Sequence, residues 1–249
     1  MNILQTKGYD ELSQKAAEFI ISKVRQNPEI KLGLATGGTP QGLYDKLIHD
    51  HKQNFTSYQK VTTFNLDEYV GLEKDHPNSY HFFMKKTLFD HIDIEPSNTY
   101  IPNGEVEDLD AECLRYEKNI EELGGIDLQI LGIGSNGHIG FNEPGTSFQS
   151  MTHIVELTQS TREANARFFN KPEDVPTQAI TMGIKSIMNA KEIVLLVSGE
   201  SKKEAIKQLL SEKVTEQFPA SILNTHPNVT VIVDEEALPK LELNAEKGA

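Results

Sequence analysis

This chain of 249 residues predicts a single-domain α/β fold, an open and mainly parallel sheet with helices on both faces in a Rossmann-like three-layer arrangement. Three observations predict it. Short β-branched runs alternate with segments of helical period, the pattern of strand-helix-strand units. No repeat period or Pro/Ser-rich linker divides residues 1–249, so one core is the expectation. Each polar motif begins where a predicted strand ends, and loops at the carboxyl ends of such strands converge on a ligand.

The elements follow in order. Leu12, Ala16, Phe19, Ile20 and Val24 recur at helical spacing, and Pro28 follows the helix end. "IKLGLA" (30–35) is the first predicted strand, and "TPQGLYDKLI" after it offers Thr39 as N-cap with Pro40 at the first helical position. "VTTFNL" (61–66) is the next strand, followed by helices over 79–89 and 107–123 and the strand "IDLQILGI" (126–133). "TREANARFF" reads as a helix, and "FNKPEDVPTQ" (169–178) as an excursion that can serve as a lid within the segment 155–180. "EIVLLVS" (192–198), a helix over 202–212 and "VTVIVD" (229–234) complete the pattern.

Composition narrows the function. Hydrophobic residues make up 37% and charged residues 24%, and no apolar run approaches the roughly 20 residues of a membrane span, so no membrane partner is expected. The N-terminus "MNILQTKGYDELSQ" lacks a basic start and a continuous apolar segment, and the single Cys113 can form no internal disulfide, which predicts a cytoplasmic protein. A formal charge of -13 argues against nucleic acid as a partner. An anionic ligand needs a locally built cationic pocket.

In "LATGGTPQGLY" the paired glycines allow a tight turn and close approach, and a helix opening at Thr39 turns free N–H groups toward an anion. Phosphate fits, and so does an ordinary glycine turn; neither Walker nor Rossmann spacing is present. Arg167 and Lys202 are the candidate cations; taken singly each reads more readily as a solvated surface charge, and only its place beside the other loop motifs raises it. Asp67 and Glu68 end a strand among apolar neighbours, where a carboxyl keeps a raised proton affinity and suits a general base; a loop or cap carboxylate is the plainer reading.

His138 stands in "SNGHIGFNEPG", with Gly137 and Gly140 freeing space around it and Glu143 near enough to fold back on it. Histidine exchanges protons near neutral pH, and a carboxylate on its second nitrogen fixes the tautomer. Pro144 and Gly145 stiffen the turn that carries Glu143. A zinc site is disfavoured: His76 and His81 are the other histidines near a motif, and neither HExxH nor a cysteine cluster occurs.

Taken in order, "GLATGGTP", "FNLDEYVG", "GIGSNGHIGFNEPG", "TREANARFF" and "VSGESK" resemble the segments of the glucosamine-6-phosphate deaminases, in the glucosamine/galactosamine-6-phosphate isomerase family, over nearly the whole chain. The resemblance implies conversion of the small-molecule amino-sugar phosphate glucosamine 6-phosphate, with water, to fructose 6-phosphate and ammonium, without metal or organic cofactor. It implies Asp67 as the base that moves a proton from C2 to C1. His138 becomes the ring-opening residue, with Glu143 and Asn136 orienting it. Gly37, Gly38, Thr39, Arg167 and Lys202 become the phosphate site. Asn136 departs from the aspartate many members carry, and leaves charge stabilisation to Glu143. Allosterically activated members carry basic residues after "FNEP" and an aromatic near the C-terminus. Here "SFQSMTHIVEL" and "LNAEKGA" have neither, so activation by N-acetylglucosamine 6-phosphate is not expected, and monomer and homo-oligomer stay open.

Two competitors remain. A 6-phosphogluconolactonase shares the fold, but "LDEYVG" argues against it. A phosphosugar sensor of a transcription regulator needs no acid-base pair and should carry a basic helix-turn-helix.

Overall fold

Side chains alternate across a strand, so a strand apolar on both faces must lie between two layers. The computed structural model, which describes residues 1–166, 169 and 171–238, has that arrangement. In chain order its elements begin β1 (Asn2–Thr6), α1 (Tyr9–Gln26), β2 (Lys31–Leu34), α2 (Gly38–Asn54), β3 (Thr62–Asn65), β4 (Asp67–Tyr69), α3 (Tyr80–Thr87) and β5 (Thr99–Tyr100). They continue α4 (Leu109–Glu122), β6 (Leu128–Leu131), β7 (His153–Glu156), α5 (Gln159–Asn165), β8 (Gln178–Thr181), α6 (Ile184–Met188), β9 (Glu192–Val197), α7 (Lys203–Leu209) and β10 (Val229–Asp234).

Seven strands form one sheet in the order β1-β10-β9-β6-β2-β3-β5, and every pairing in it is parallel. The predicted fold class is therefore the observed one. Along β9, Val194 and Leu196 join Ala16 and Ile20 of α1 and Leu43 and Leu47 of α2. Ile193, Leu195 and Val197 turn the other way, to Ile206 and Leu209 of α7. Burial of each such side chain contributes about 1.5–3 kcal/mol, which makes the central strands the firmest part of the molecule.

The five predicted strands correspond to β2, β3, β6, β9 and β10. The structure adds the half-exposed edge strand β1, the two-residue β5, and a second, antiparallel sheet of order β4-β8-β7. Leu66 alone separates the two sheets: its N–H donates to Leu34 at 3.0 Å in the large one, and its carbonyl accepts from Met182 at 2.6 Å beside the small one.

Two local expectations are corrected. Gly37, not Thr39, caps α2, because its φ of 100° is a conformation that a side chain disfavours; Thr39 and Pro40 lie inside the first turn. The helix predicted over 202–212 is a short 3-10 turn, Glu200–Lys202, followed by α7, which ends at Leu209. The helix read from "TREANARFF" is described as α5, and Arg167 and Phe168 lie outside the described residues.

Candidate active site

A cavity of about 400 Å³ opens at the carboxyl ends of the parallel strands. The loop after β2 contributes Gly37, Gly38 and Thr39, the loop after β6 contributes Asn136 and His138, and the turn after β9 contributes Lys202. Asp67 of β4 and Thr161 of α5 reach the same space.

Asp67 pairs with Thr181 of β8 in the small sheet, so it sits on a strand rather than in a loop. Its carboxyl is buried, and among the described residues no group donates a hydrogen bond to it. Burial, and after it the charge of Glu68, pushes its pKa up to about 8. Once ionised, such a group is a strong base toward whatever enters the cavity.

The next residue on the strand faces elsewhere. Glu68 accepts backbone N–H groups of Tyr69, Tyr80 and His81 at 2.8–2.9 Å, which ties β4 to the start of α3. Burial raises its carboxyl too, to about 7, against the pull of those donors. Its outer side meets a separate cavity of about 570 Å³ shared with His81. Strand alternation thus resolves the choice between the adjacent acids: Asp67 looks into the cavity of His138, and Glu68 does not.

His138 sits in a tight loop because Gly134 has no side chain; a Cβ there would lie 2.3 Å from the imidazole. That space-making belongs to Gly134 rather than to Gly137, which lies against Phe218. The imidazole Nδ1 is 2.8 Å from Asn136 Oδ1, and Asn136 Nδ2 donates to Glu143 Oε2 at 2.7 Å. Glu143 also accepts from the Thr161 hydroxyl at 2.8 Å. Burial alone raises the Glu143 carboxyl, but the His138 imidazole, the Thr161 hydroxyl and the Asn136 amide together hold it down at about 2. An ionised carboxylate only accepts, so the Asn136 amide must turn its NH₂ to Glu143 and its oxygen to His138. That assigns the imidazole proton to Nδ1 and leaves Nε2 as the basic nitrogen. Asn136 is therefore a neutral bridge between the ring and the carboxylate, whose charge lies 3.7 Å from Nδ1.

On another wall of the cavity, α2 begins without a side-chain cap, so its first N–H groups stay open to a ligand. Lys202 is half-buried and lines the cavity, burial lowers its pKa, and it has no acidic partner within 4 Å among the described residues. A half-buried ammonium, unpaired among the described residues, on the same cavity as a helix start that no side chain caps is an arrangement able to hold an anion. Arg167, the other sequence candidate, lies outside the described residues.

Sequence reasoning missed Thr161, the Tyr80 and Phe141 rings that stack at 6.2 Å beside the cavity, and buried Asn142, whose amide donates to Ile139 and Met182 at 2.9 Å and so fixes the turn carrying Glu143. The "FNEP" spelling was the available signal for Asn142. His76 and His81 lie away from His138, and among the described residues no three or more His, Cys, Asp or Glu side chains converge as metal ligands.

The family model described as glucosamine-6-phosphate isomerases/6-phosphogluconolactonase matches residues 6–232. The chain is 60% identical over 245 residues to the glucosamine-6-phosphate deaminase of Halalkalibacterium halodurans, covering 98% of this chain and 100% of that one. It is 53% identical to glucosamine-6-phosphate deaminase 1 of Bacillus subtilis, covering 95% and 98%. Among solved structures it resembles a monomeric glucosamine-6-phosphate deaminase with a TM-score of 0.94 at 53% identity, over 95% of this chain and 98% of that one. A 6-phosphogluconolactonase from Trypanosoma cruzi shares the fold with a TM-score of 0.79 at 20% identity, over 97% of each chain.

Proposed function

The chain belongs to the glucosamine-6-phosphate isomerase/6-phosphogluconolactonase family, and from that premise we propose that it is a glucosamine-6-phosphate deaminase of amino-sugar catabolism. It turns glucosamine 6-phosphate and water into fructose 6-phosphate and ammonium. One observation carries the reading: Asp67, with its raised carboxyl pKa, and His138, whose Nε2 has no partner among the described residues, line the same cavity as Lys202, which is unpaired among them.

The phosphate rests on the α2 start, with Gly37, Gly38 and Thr39, and on Lys202 and Arg167. His138 Nε2 takes the anomeric hydroxyl proton and returns it to the ring oxygen, opening the pyranose, while Glu143 and Asn136 steady the imidazolium. Asp67 then removes the C2 proton and delivers it to C1. Removal of the C2 proton gives an enolamine, its delivery to C1 gives a ketimine, and water hydrolyses the ketimine with release of ammonium. General acid-base groups of this kind contribute about a hundred- to ten-thousandfold each, and the phosphate tether supplies the alignment they need.

The same reading treats residues 1–249 as one domain, cytoplasmic, acting as a monomer or homo-oligomer without nucleic-acid or membrane partners. The segment 155–180 is its lid; Thr161 and Asn165 at the cavity wall support that role. In support, no described helix is long and apolar enough to cross a membrane.

A lactonase needs no base at C2 and leaves Asp67 without a task. Incubation of the purified protein with glucosamine 6-phosphate should release ammonium and fructose 6-phosphate in equal amounts. Asp67→Asn should stop the exchange of C2 hydrogen with solvent deuterium while phosphosugar still binds. Hydrolysis of 6-phosphogluconolactone with no ammonium from the amino sugar would overturn the proposal.

A further inference from the structure

We propose that Asp234 is a positioning residue for the phosphate end of the cavity, bracing the Ser198–Lys202 turn so that the Lys202 ammonium is held toward the substrate. The proposal rests on the reading above, in which Lys202 meets the phosphate.

Register sets up the contact. β9 and β10 pair in parallel with Val197 opposite Val233, so the next residues lie side by side: Ser198 just past the end of β9, and Asp234 at the last position of β10, where it still pairs with Thr6 of β1. Asp234 is buried, at 1% exposure, and does not line the cavity. Its Oδ2 accepts the Ser198 hydroxyl at 2.5 Å, and both its oxygens accept the Gly199 N–H at 3.1 Å. Its Oδ1 also accepts the Ala237 N–H at 2.9 Å. Gly199 turns with a φ of 91°, and its carbonyl accepts the Lys202 N–H at 3.0 Å. Asp234 is thus joined to the Lys202 backbone through a single residue.

The chemistry calls for a carboxylate. Three donors converge on Asp234, and a carboxylate accepts from all three; an amide that kept its oxygen on the Gly199 and Ala237 N–H groups would turn its NH₂ to Ser198, reverse that bond and lose the charge that strengthens the other two. Charge-assisted bonds of this kind also compensate the burial of the aspartate. What the brace fixes is the launching point of a flexible four-carbon side chain, which has no acid partner to hold it among the described residues. Without the brace the ammonium still exists but no longer waits where the phosphate arrives.

The test compares Ser198→Ala, Ser198→Thr and Asp234→Asn with the wild-type chain, using kcat and KM for glucosamine 6-phosphate and competitive inhibition by inorganic phosphate. Ser198→Ala and Asp234→Asn should raise KM and the phosphate inhibition constant together by about tenfold, the scale of one lost bond to a charged group. In both, kcat should change less than about threefold, and Ser198→Thr, which keeps the hydroxyl, should stay near wild type. A Ser198→Ala protein with wild-type KM, or one that loses kcat at unchanged KM, overturns the proposal, even where Asp234→Asn fails to fold. Ammonium release by the wild type is measured first. Its absence sinks the deaminase reading and the brace with it, whereas its presence beside an unaltered KM sinks the brace alone.

Discussion

Asp67 weakens the fold that displays it. Burial lifts its pKa to about 8, against an ordinary aspartate value near 4. Below about pH 4 the folded and unfolded chains both hold the proton, and the group is neutral to stability. Between about 4 and 8 the unfolded chain releases that proton and the folded chain keeps it, so stability falls as pH rises through this window. Asp67→Asn removes the penalty, and the variant should melt about 3–8 °C above wild type at pH 8, with the gap closing toward pH 4 in thermal denaturation. Glu68 acts on the same titration, because its charge is the second cause of the shift. Glu68→Gln should move the rising limb of the kcat/KM profile to lower pH by about half a unit to one unit. An unmoved limb would mean that Asp67 does not govern it. At this scale the sequence carried Asp67, His138, Glu143 and Lys202, because each stands in a short polar motif after an apolar run. It did not carry Thr161 or Gly134, whose contacts with Glu143 and His138 join residues that only the folded loops bring together.

Elements decide where those residues point. The start of α2, which no side chain caps, is held from outside by Tyr9, whose hydroxyl donates to the Gly38 carbonyl at 2.9 Å and accepts the Gly42 N–H at 2.8 Å. Tyr9→Phe keeps the ring and loses both bonds. It should lower Tm by about 2–4 °C, the worth of roughly 1 kcal/mol, and raise KM for the phosphosugar about two- to fivefold. Unchanged KM in steady-state kinetics would show that the helix start stays in place unaided. The long apolar strands were legible because a run buried on both faces has a composition no loop shares. β4, β7 and β8 were not, since three or four residues such as "DEY" or "HIVE" are too few to display a period, and β5 has only two. The helix predicted from Thr39 shows a related limit: its cap is set by the backbone angle of Gly37, not by the side chain that looked fittest.

At the scale of the whole molecule, two hydrophobic layers share one sheet, and β9 feeds both. Leu195 is fully buried in the layer under α7, and Leu195→Ala should cost about 2–5 kcal/mol, seen as a fall in Tm of about 5–15 °C. A smaller fall would mean the layer collapses around the gap. Strand order could not be read from the chain, because β1 and β10, its opposite ends, lie side by side. The general rule that ligands sit beyond the carboxyl ends of parallel strands was enough to bring the motifs together without it.

Leu66 leaves Asp67, the proposed base, on one sheet, while the proposed cradle for the phosphate belongs to the other. A shift in the tilt between them would alter how far the acid reaches along a carbon skeleton without loosening the hold on its end. A descendant of this chain could therefore keep its clientele and acquire a new reaction by redrawing three short strands.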